Sequence, residues 1–390
     1  LISDQVIKIG EYIFKEHYNH ENKYQMTIKD IQSPLYLKLS VITLGLVAFL
    51  FLMYVGKDII VPLIFSTIIA ILLNPMVMFL TRKKFNRTIA ISLAVLSAFI
   101  LIGILAYFLF SQAALFSEAL PEFKKKFLTM FNEAIVWVSA NLNVSVPKIN
   151  AWIEQTKTEG LDNSSAAIGT ALATAGDFLV LFFLLPVYIF LIIFYKPLLL
   201  DFISQLFSSG QQEVVSEVLV ESKSLIQSYL IGLLIETAVV AVLNAAGLLA
   251  LGVEYAVLIG VIGALLNLIP YIGGLVAISI PMLMVIATKS PIDALWVFIL
   301  YIVIQLIDNN FIVPKIVASR VKINALVSIV VVLIGGAMWG VAGMFLSIPL
   351  TAIVKVIFDR ITPLKPLGFL LGDNQPEIVK FRLLLPEKIK

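Results

Sequence analysis

The 390-residue chain has no cysteine, which excludes disulfides, thiolate metal sites and cysteine nucleophiles. Histidine occurs twice, as His17 and His20 in a polar N-terminal stretch, so no hydrophobic segment offers a paired-histidine zinc helix. The serine elbow G-x-S-x-G and the phosphate loop G-x-x-x-x-G-K-[ST] are both missing. Enzymatic chemistry is left without a motif, and no cofactor is implied. Charge is scarce as well, at 14% of residues against about a quarter in a soluble domain. The basic clusters are short flanks of hydrophobic runs, and nucleic acid is not needed to explain them.

What the chain does have is hydrophobic sequence, 60% of the total. Residues 255–288 and 323–354 run 34 and 32 residues without a charged side chain. Each run is broken in its middle, by Pro270-Tyr271-Ile272-Gly273-Gly274 and by Gly335-Gly336-Ala337-Met338-Trp339-Gly340. A spanning helix needs about 20 apolar residues, whereas the arms on either side of each break reach only about 18–22 Å at 1.5 Å per residue. Half-length arms suit hairpins that dip into the membrane and return. Irregular backbone at that depth survives only inside protein or beside a wet cavity.

Uncharged windows at 39–56, 59–81, 88–117, 178–195, 225–252 and 294–307 (the fifth uncharged but for Glu236) predict six further spans. The loop Arg82-Lys83-Lys84 with Arg87 is strongly basic, which places it and the N-terminus in the cytoplasm by the positive-inside rule. Counting spans from there, the first broken stretch opens from outside and the second from inside, and the C-terminus is cytoplasmic. The fold class expected is an all-α polytopic membrane protein with about six full spans and two oppositely oriented re-entrant hairpins. The domains expected are a cytoplasmic amphipathic segment at 1–37, too polar for a signal peptide, and three spans at 38–110. An extracytoplasmic amphipathic helical region at 111–172 and a span with a cytoplasmic amphipathic helix at 173–224 follow. A transport core at 225–358 and a cytoplasmic tail at 359–390 complete the chain. The two hairpins echo each other: Ser279-Ile280-Pro281 follows Gly274, and Ser347-Ile348-Pro349 follows Gly343. A weaker match, Ile71-Leu72-Leu73-Asn74-Pro75 against Ala264-Leu265-Leu266-Asn267, hints at older duplication.

Polar residues inside these apolar segments are the candidate pathway. Glu236 is a carboxylate deep in a span, where a charge costs at least about 2.5–3.5 kcal/mol; it reads either as a proton or cation site or as a structural carboxyl at a helix contact. Asn244 and Asn267 need hydrogen bonds wherever they are buried. Asn267 lies next to the first break, where Pro270 removes a backbone donor and Gly273 and Gly274 permit close approach. Freed backbone groups at such a tip can hold a polar solute or cation, or simply form a buried turn. Gln305, Asp308, Asn309 and Asn310 lead out of an apolar helix and read as the cytoplasmic half of a pathway or as an interfacial helix end. Gly335 and Gly336 mark the second break. Paired broken helices point to a transport site near the membrane midplane, here between the tips around Asn267, Pro270, Gly273, Gly274 and Gly336.

Residues 248–274 (LLALGVEYAVLIGVIGALLNLIPYIGG), Asp308-Asn309-Asn310-Phe311-Ile312-Val313-Pro314-Lys315, and the stretch from Gly335-Gly336 to Pro349 resemble the core of the autoinducer-2 exporter family. The resemblance extends more loosely over residues 38–360. It implies a bacterial inner-membrane transporter, assembled as a homo-oligomer, that exports a small polar molecule such as autoinducer-2. Some relatives are described instead as sodium(lithium)/proton antiporters, which would make a monovalent cation and a proton the partners. A non-transporting membrane scaffold is the remaining alternative.

Overall fold

The computed structural model describes residues 34–142, 147, 183–271, 273–317 and 322–373. The N-terminal segment up to residue 33, most of the expected amphipathic region beyond Leu142 and the tail after residue 373 lie outside the described residues. Within them the chain is helical, with no strand and one isolated bridge between Ile323 and Gly372. Among the described residues, five helices are long and apolar enough to cross a membrane, six if one bent pair is counted as a span. The all-α polytopic architecture expected from the sequence is the one observed.

Helix α1, Leu35–Val55, belongs to a unit of its own that ends at Gly56. Beyond Lys38 it is apolar on every face, but its apolar stretch Leu39–Val55 is shorter than the helices long enough to cross a membrane, unlike the full span expected at 39–56. The second unit begins with α2, Lys57–Arg82, and α3, Arg87–Leu142. Helix α3 is 56 residues long and passes without a break through the boundary expected at residue 110. Helix α4, Phe183–Phe194, bends by 60° into α5, Lys196–Gln205. Arg87 fixes that bend by donating to the Ile193 and Phe194 carbonyls at 3.0 Å, placing a cation on a helix C-terminus whose carbonyls lack partners. Ala90, Ile91 and Ala94 of α3 pack with Ala70 of α2 and with Ile189 and Ile193 of α4.

The second half is organised on α6, Gln212–Ala250. At one end α6 closes with a Schellman turn: Gly252 takes φ 63° and the Val253 amide donates to the Leu248 carbonyl. Val253 and Leu248 also pack on each other in the core, as that motif favours. Lys289 Nζ donates to the neighbouring Leu251 carbonyl at 2.7 Å. From this Lys289 end the chain enters α7, Ala256–Asn267, turns, and returns as α8, Gly273–Thr288. Helix α9, Pro291–Ile307, then runs back along both, capped by Ser290. It continues as a π-helical turn through Asp308–Val317 that holds Pro314. Proline has no amide hydrogen to give to the helix ladder, and the wider π spacing accommodates that loss.

Helix α10, Ala325–Arg360, consists of two helical arms joined at a non-helical break at Gly340, where φ is 62° and ψ is −143° and the chain doubles back. As a straight rod its 36 residues would cover about 54 Å. Yet a side-chain carbon at Gly343 would collide with the Gly335 carbonyl oxygen, so the two arms touch. The ends confirm the fold-back. Asn324 caps the first arm through the Val327 amide and also donates to the Leu370 and Gly372 carbonyls, just beyond the second arm. The short helix α11, Lys365–Leu371, is far too brief to bridge a 54 Å rod.

The two hairpins therefore open at opposite ends of α6. The first opens at the Lys289 end. The second opens at the other end, where Arg360 pairs with Glu217 and Glu221 near the start of α6. The Ser-Ile-Pro echo has the same local geometry in both: Ser279 and Ser347 each bond back four residues, to the Leu275 and Gly343 carbonyls at 2.7 and 2.6 Å. Gly340→Ala should strain the second turn by about 1–3 kcal/mol, and Gly343→Ala should force its arms apart. Gly103→Ala, in open space along α3, should be neutral or stabilising by about 0.5–1 kcal/mol. Thermal unfolding of the full chain in detergent separates these outcomes.

Candidate functional site

Membrane helices gain little from hydrophobic contact with one another, so close approach of small residues fixes their geometry. Gly260 of α7 lies directly against the Ala245 backbone of α6, and any side chain there would overlap it. Continuing this antiparallel register down α6 brings the tip of the first hairpin abreast of Glu236. Gly273 sits against the Leu266 carbonyl, again with no space for a side chain, and Tyr271 beside it takes a left-handed φ of 66°. Pro270 lies at this tip, half-buried.

Asn267 Nδ2 donates to Asp308 Oδ2 at 3.1 Å, tying the tip to the junction of α9 and its π turn. Asp308 is 2% exposed, and its other carboxylate oxygen has no hydrogen-bond partner among the described residues. The charge of Asp308 acts on Glu236, which is buried on α6. Gln305 and Asn267 both border Gly274, with Gln305 Oε1 3.2 Å and Asn267 Oδ1 3.6 Å from where a side-chain carbon would stand. Gln305 Nε2 donates to Asn309 at 3.2 Å. Of the residues selected from sequence, Glu236, Asn267, Pro270, Gly273, Gly274, Gln305, Asp308 and Asn309 thus meet in one region.

The others lie apart. Asn244 sits about two turns nearer the Lys289 end, donating to the Gly260 carbonyl at 3.4 Å, and its Oδ1 has no partner among the described residues. Asn310 is exposed and bonds within its own helix to the Leu306 carbonyl. Gly335 packs against Gly343 and Ser347 inside the second hairpin, and Gly336 is covered by Met344. Both serve arm-to-arm contact at the second turn. Sequence reasoning passed over two tyrosines. Tyr301, two turns before Asp308 on the same face, has a buried hydroxyl with no partner among the described residues, and it borders Gly263 together with Asn244. Tyr229, two turns before Glu236, lies within the field of that carboxylate. Their helical spacing from the two carboxylates was the signal available.

The second hairpin reaches the same level from the opposite end. Its Leu346 packs with Ile226, Tyr229 and Leu230 of α6 and Ile68 of α2, and Phe345 stacks on Phe65 with ring centroids 5.8 Å apart. Twenty residues of helix from Arg360 back to Gly340, about 30 Å, carry its tip from the Glu217 level to that of Glu236. Two opposed tips, a tethered carboxylate and a second carboxylate thus share one depth. The sequence model of the AI-2E family transporters matches residues 44–362.

The chain belongs to the AI-2E transporter family.

Among its relatives, TqsA of Escherichia coli (strain K12), named as an AI-2 transport protein, is 26% identical over 329 residues, 83% of this chain and 92% of TqsA. YhhT of the same strain, named as an inferred transport protein, is 26% identical over 337 residues, 85% of this chain and 93% of its own length. YueF of Bacillus subtilis (strain 168) is 25% identical over 321 residues, 78% and 84% of the respective chains. Like other AI-2E family members, this chain is a multi-pass membrane transport protein. The Asn267–Asp308 tether makes a local prediction. Asn267→Ala should cost about 1–3 kcal/mol by leaving a buried carboxylate oxygen unpaired. Asn267→Asp should cost more, through like-charge repulsion, and Asp308→Asn on that background should restore stability by exchanging the two roles. Thermal melting of the three variants checks the exchange, and no recovery in the double variant would separate the two residues.

Proposed function

We propose that this protein moves a small polar molecule across the bacterial inner membrane by alternating access, with the hairpin tips forming the barrier around Asn267, Glu236 and Asp308. The observation that carries this reading is the meeting of two buried carboxylates with the tip of a re-entrant hairpin. A buried carboxylate is costly unless it is neutralised or paired with something that comes and goes. Autoinducer-2 is the first candidate solute, because the relative TqsA is named for its transport.

The Arg360 end of the bundle faces the cytoplasm in this reading. The loop from Arg82 to Arg87, Lys196, Lys223, Lys355 and Arg360 all gather at that end, as the positive-inside rule requires. Both termini are then cytoplasmic. Each hairpin is held at its open end, by Lys289 in one case and by Arg360 in the other, and in this reading its tip is the part that moves, with the Asn267–Asp308 bond made and broken. Asn244 and Tyr301 extend a line of buried polar groups from the tips toward the outer face.

A specific observation also favours exchange of a monovalent cation for a proton. Glu236 and Asp308 act on each other electrostatically, and Asp308 keeps one oxygen without a partner among the described residues. Two such carboxylates suit a site that binds either a proton or a cation. Proteoliposomes holding a pH-sensitive dye, challenged with sodium, lithium or potassium, distinguish the two. Exchange predicts a cation-triggered pH change that Glu236→Gln abolishes. Solute export predicts silence with every cation, together with saturable movement of labelled autoinducer-2 or a related polyol. Silence in both assays would return the protein to a non-transporting role.

A further inference from the structure

A second polar constellation lies away from the hairpin tips, at the end of the bundle that carries Arg360. A cavity of about 580 Å³ opens between the end of α2, the start of α3 and the bend from α4 to α5, lined by Asn74, Met78, Phe85, Arg87, Lys196 and Leu200 among others. Lys196 Nζ donates to Asn74 Oδ1 at 3.2 Å and has no acidic partner among the described residues. The charges of Lys223, on α6, and of Arg87 both bear on Lys196. Asp201, one turn along α5, is engaged by Gln205 instead. Arg87 uses one nitrogen to hold the Ile193 and Phe194 carbonyls, and its other N–H groups have no hydrogen-bond partner among the described residues. Lys196 and Arg87 thus both line a cavity that supplies them with no anion among the described residues.

The surroundings say what kind of anion fits. Helix α5 leaves the axis of α4 at 60° and exposes Leu198, Leu199, Leu200 and Phe202. A short helix with this apolar display lies along a membrane face with its leucines in the acyl region. The loop Arg82-Lys83-Lys84 beside it adds further positive charge at headgroup depth. The cavity wall is apolar on the side of Met78, Phe85 and Leu200, which a free inorganic anion would not use and an acyl glycerol would.

We propose that this cavity binds the phosphate headgroup of an anionic phospholipid, held by Lys196 and Arg87. Such a lipid would offset part of the positive charge of Lys196 and Arg87 and join α2, α3 and α5 into one platform beside the hairpins. Native mass spectrometry of the full chain, released from micelles containing phosphatidylglycerol and phosphatidylcholine of identical acyl chains, tests it. One phosphatidylglycerol should be retained per chain in preference to phosphatidylcholine. Lys196→Gln, which can still bond Asn74, should lower that retention about fivefold, and so should Lys223→Gln, which leaves the cavity wall intact. Lys365→Gln, on α11 outside the cavity, should leave it unchanged. Equal retention of the two lipids, or full retention in both the Lys196 and Lys223 variants, would overturn the proposal. Displacement of the lipid by millimolar inorganic phosphate would overturn it too, by making a soluble phosphate the ligand.

Discussion

Inside hydrocarbon every backbone amide and carbonyl must find a partner within the protein, and the second half of this chain is arranged around that demand. Two hairpins break the helical backbone partway along α6, one beside Tyr271 and one at Gly340. Both are laid against α6, the longest uninterrupted column in this half, with 39 residues. Gly260 against Ala245 sets the depth of the first tip, and Arg360 against Glu217 and Glu221 sets that of the second. Because the hairpins open at opposite ends, the tips converge where α6 places Glu236. The inverted arrangement follows from two local anchors and needs no long-range contact between the hairpins.

Buried charge follows the same logic. Asp308 stands where α9 gives way to a π turn, and Asn267 reaches it from the hairpin tip with a single hydrogen bond. A fully satisfied carboxylate would be a structural pin. One with an oxygen still without a partner among the described residues, close enough to Glu236 to influence it, is a group whose state depends on what shares its site. In the mechanism proposed, that dependence would couple a bound species to movement of a tip.

Much of this was legible in the sequence, because lipid imposes rules that composition obeys. Absence of charge marked the spans, and Pro270, Gly273 and Gly340 marked the turns. The opposite openings followed from span parity and a basic loop. The shared Ser-Ile-Pro element identified the returning arm of each hairpin, and in the structure Ser279 and Ser347 repeat one hydrogen-bond pattern. Glu236, Asn267 and Asp308 stood out simply as polar residues in apolar surroundings. The roles of Gly335 and Gly336 were not legible, since a glycine that admits a ligand and one that admits a neighbouring arm look identical in sequence. Tyr301 and Tyr229 escaped notice because an aromatic ring in an apolar helix is ordinarily core, and only three-dimensional proximity to Asn244 and Glu236 distinguishes them. The Lys196–Asn74 contact joins residues 122 apart and had no local signature at all.

The central claim is that the converging tips form the barrier of a transport pathway open to each side in turn. The chain has no cysteine of its own, so a single Gln305→Cys places one thiol beside Gly274 at the first tip. Labelling it in sealed, oriented vesicles with a membrane-impermeant thiol reagent, applied to one face and then to the other, is the most direct measurement. Alternating access predicts reaction from both faces, with the balance between them shifted by transported solute or cation. Reaction from one face alone, indifferent to every solute, would contradict it.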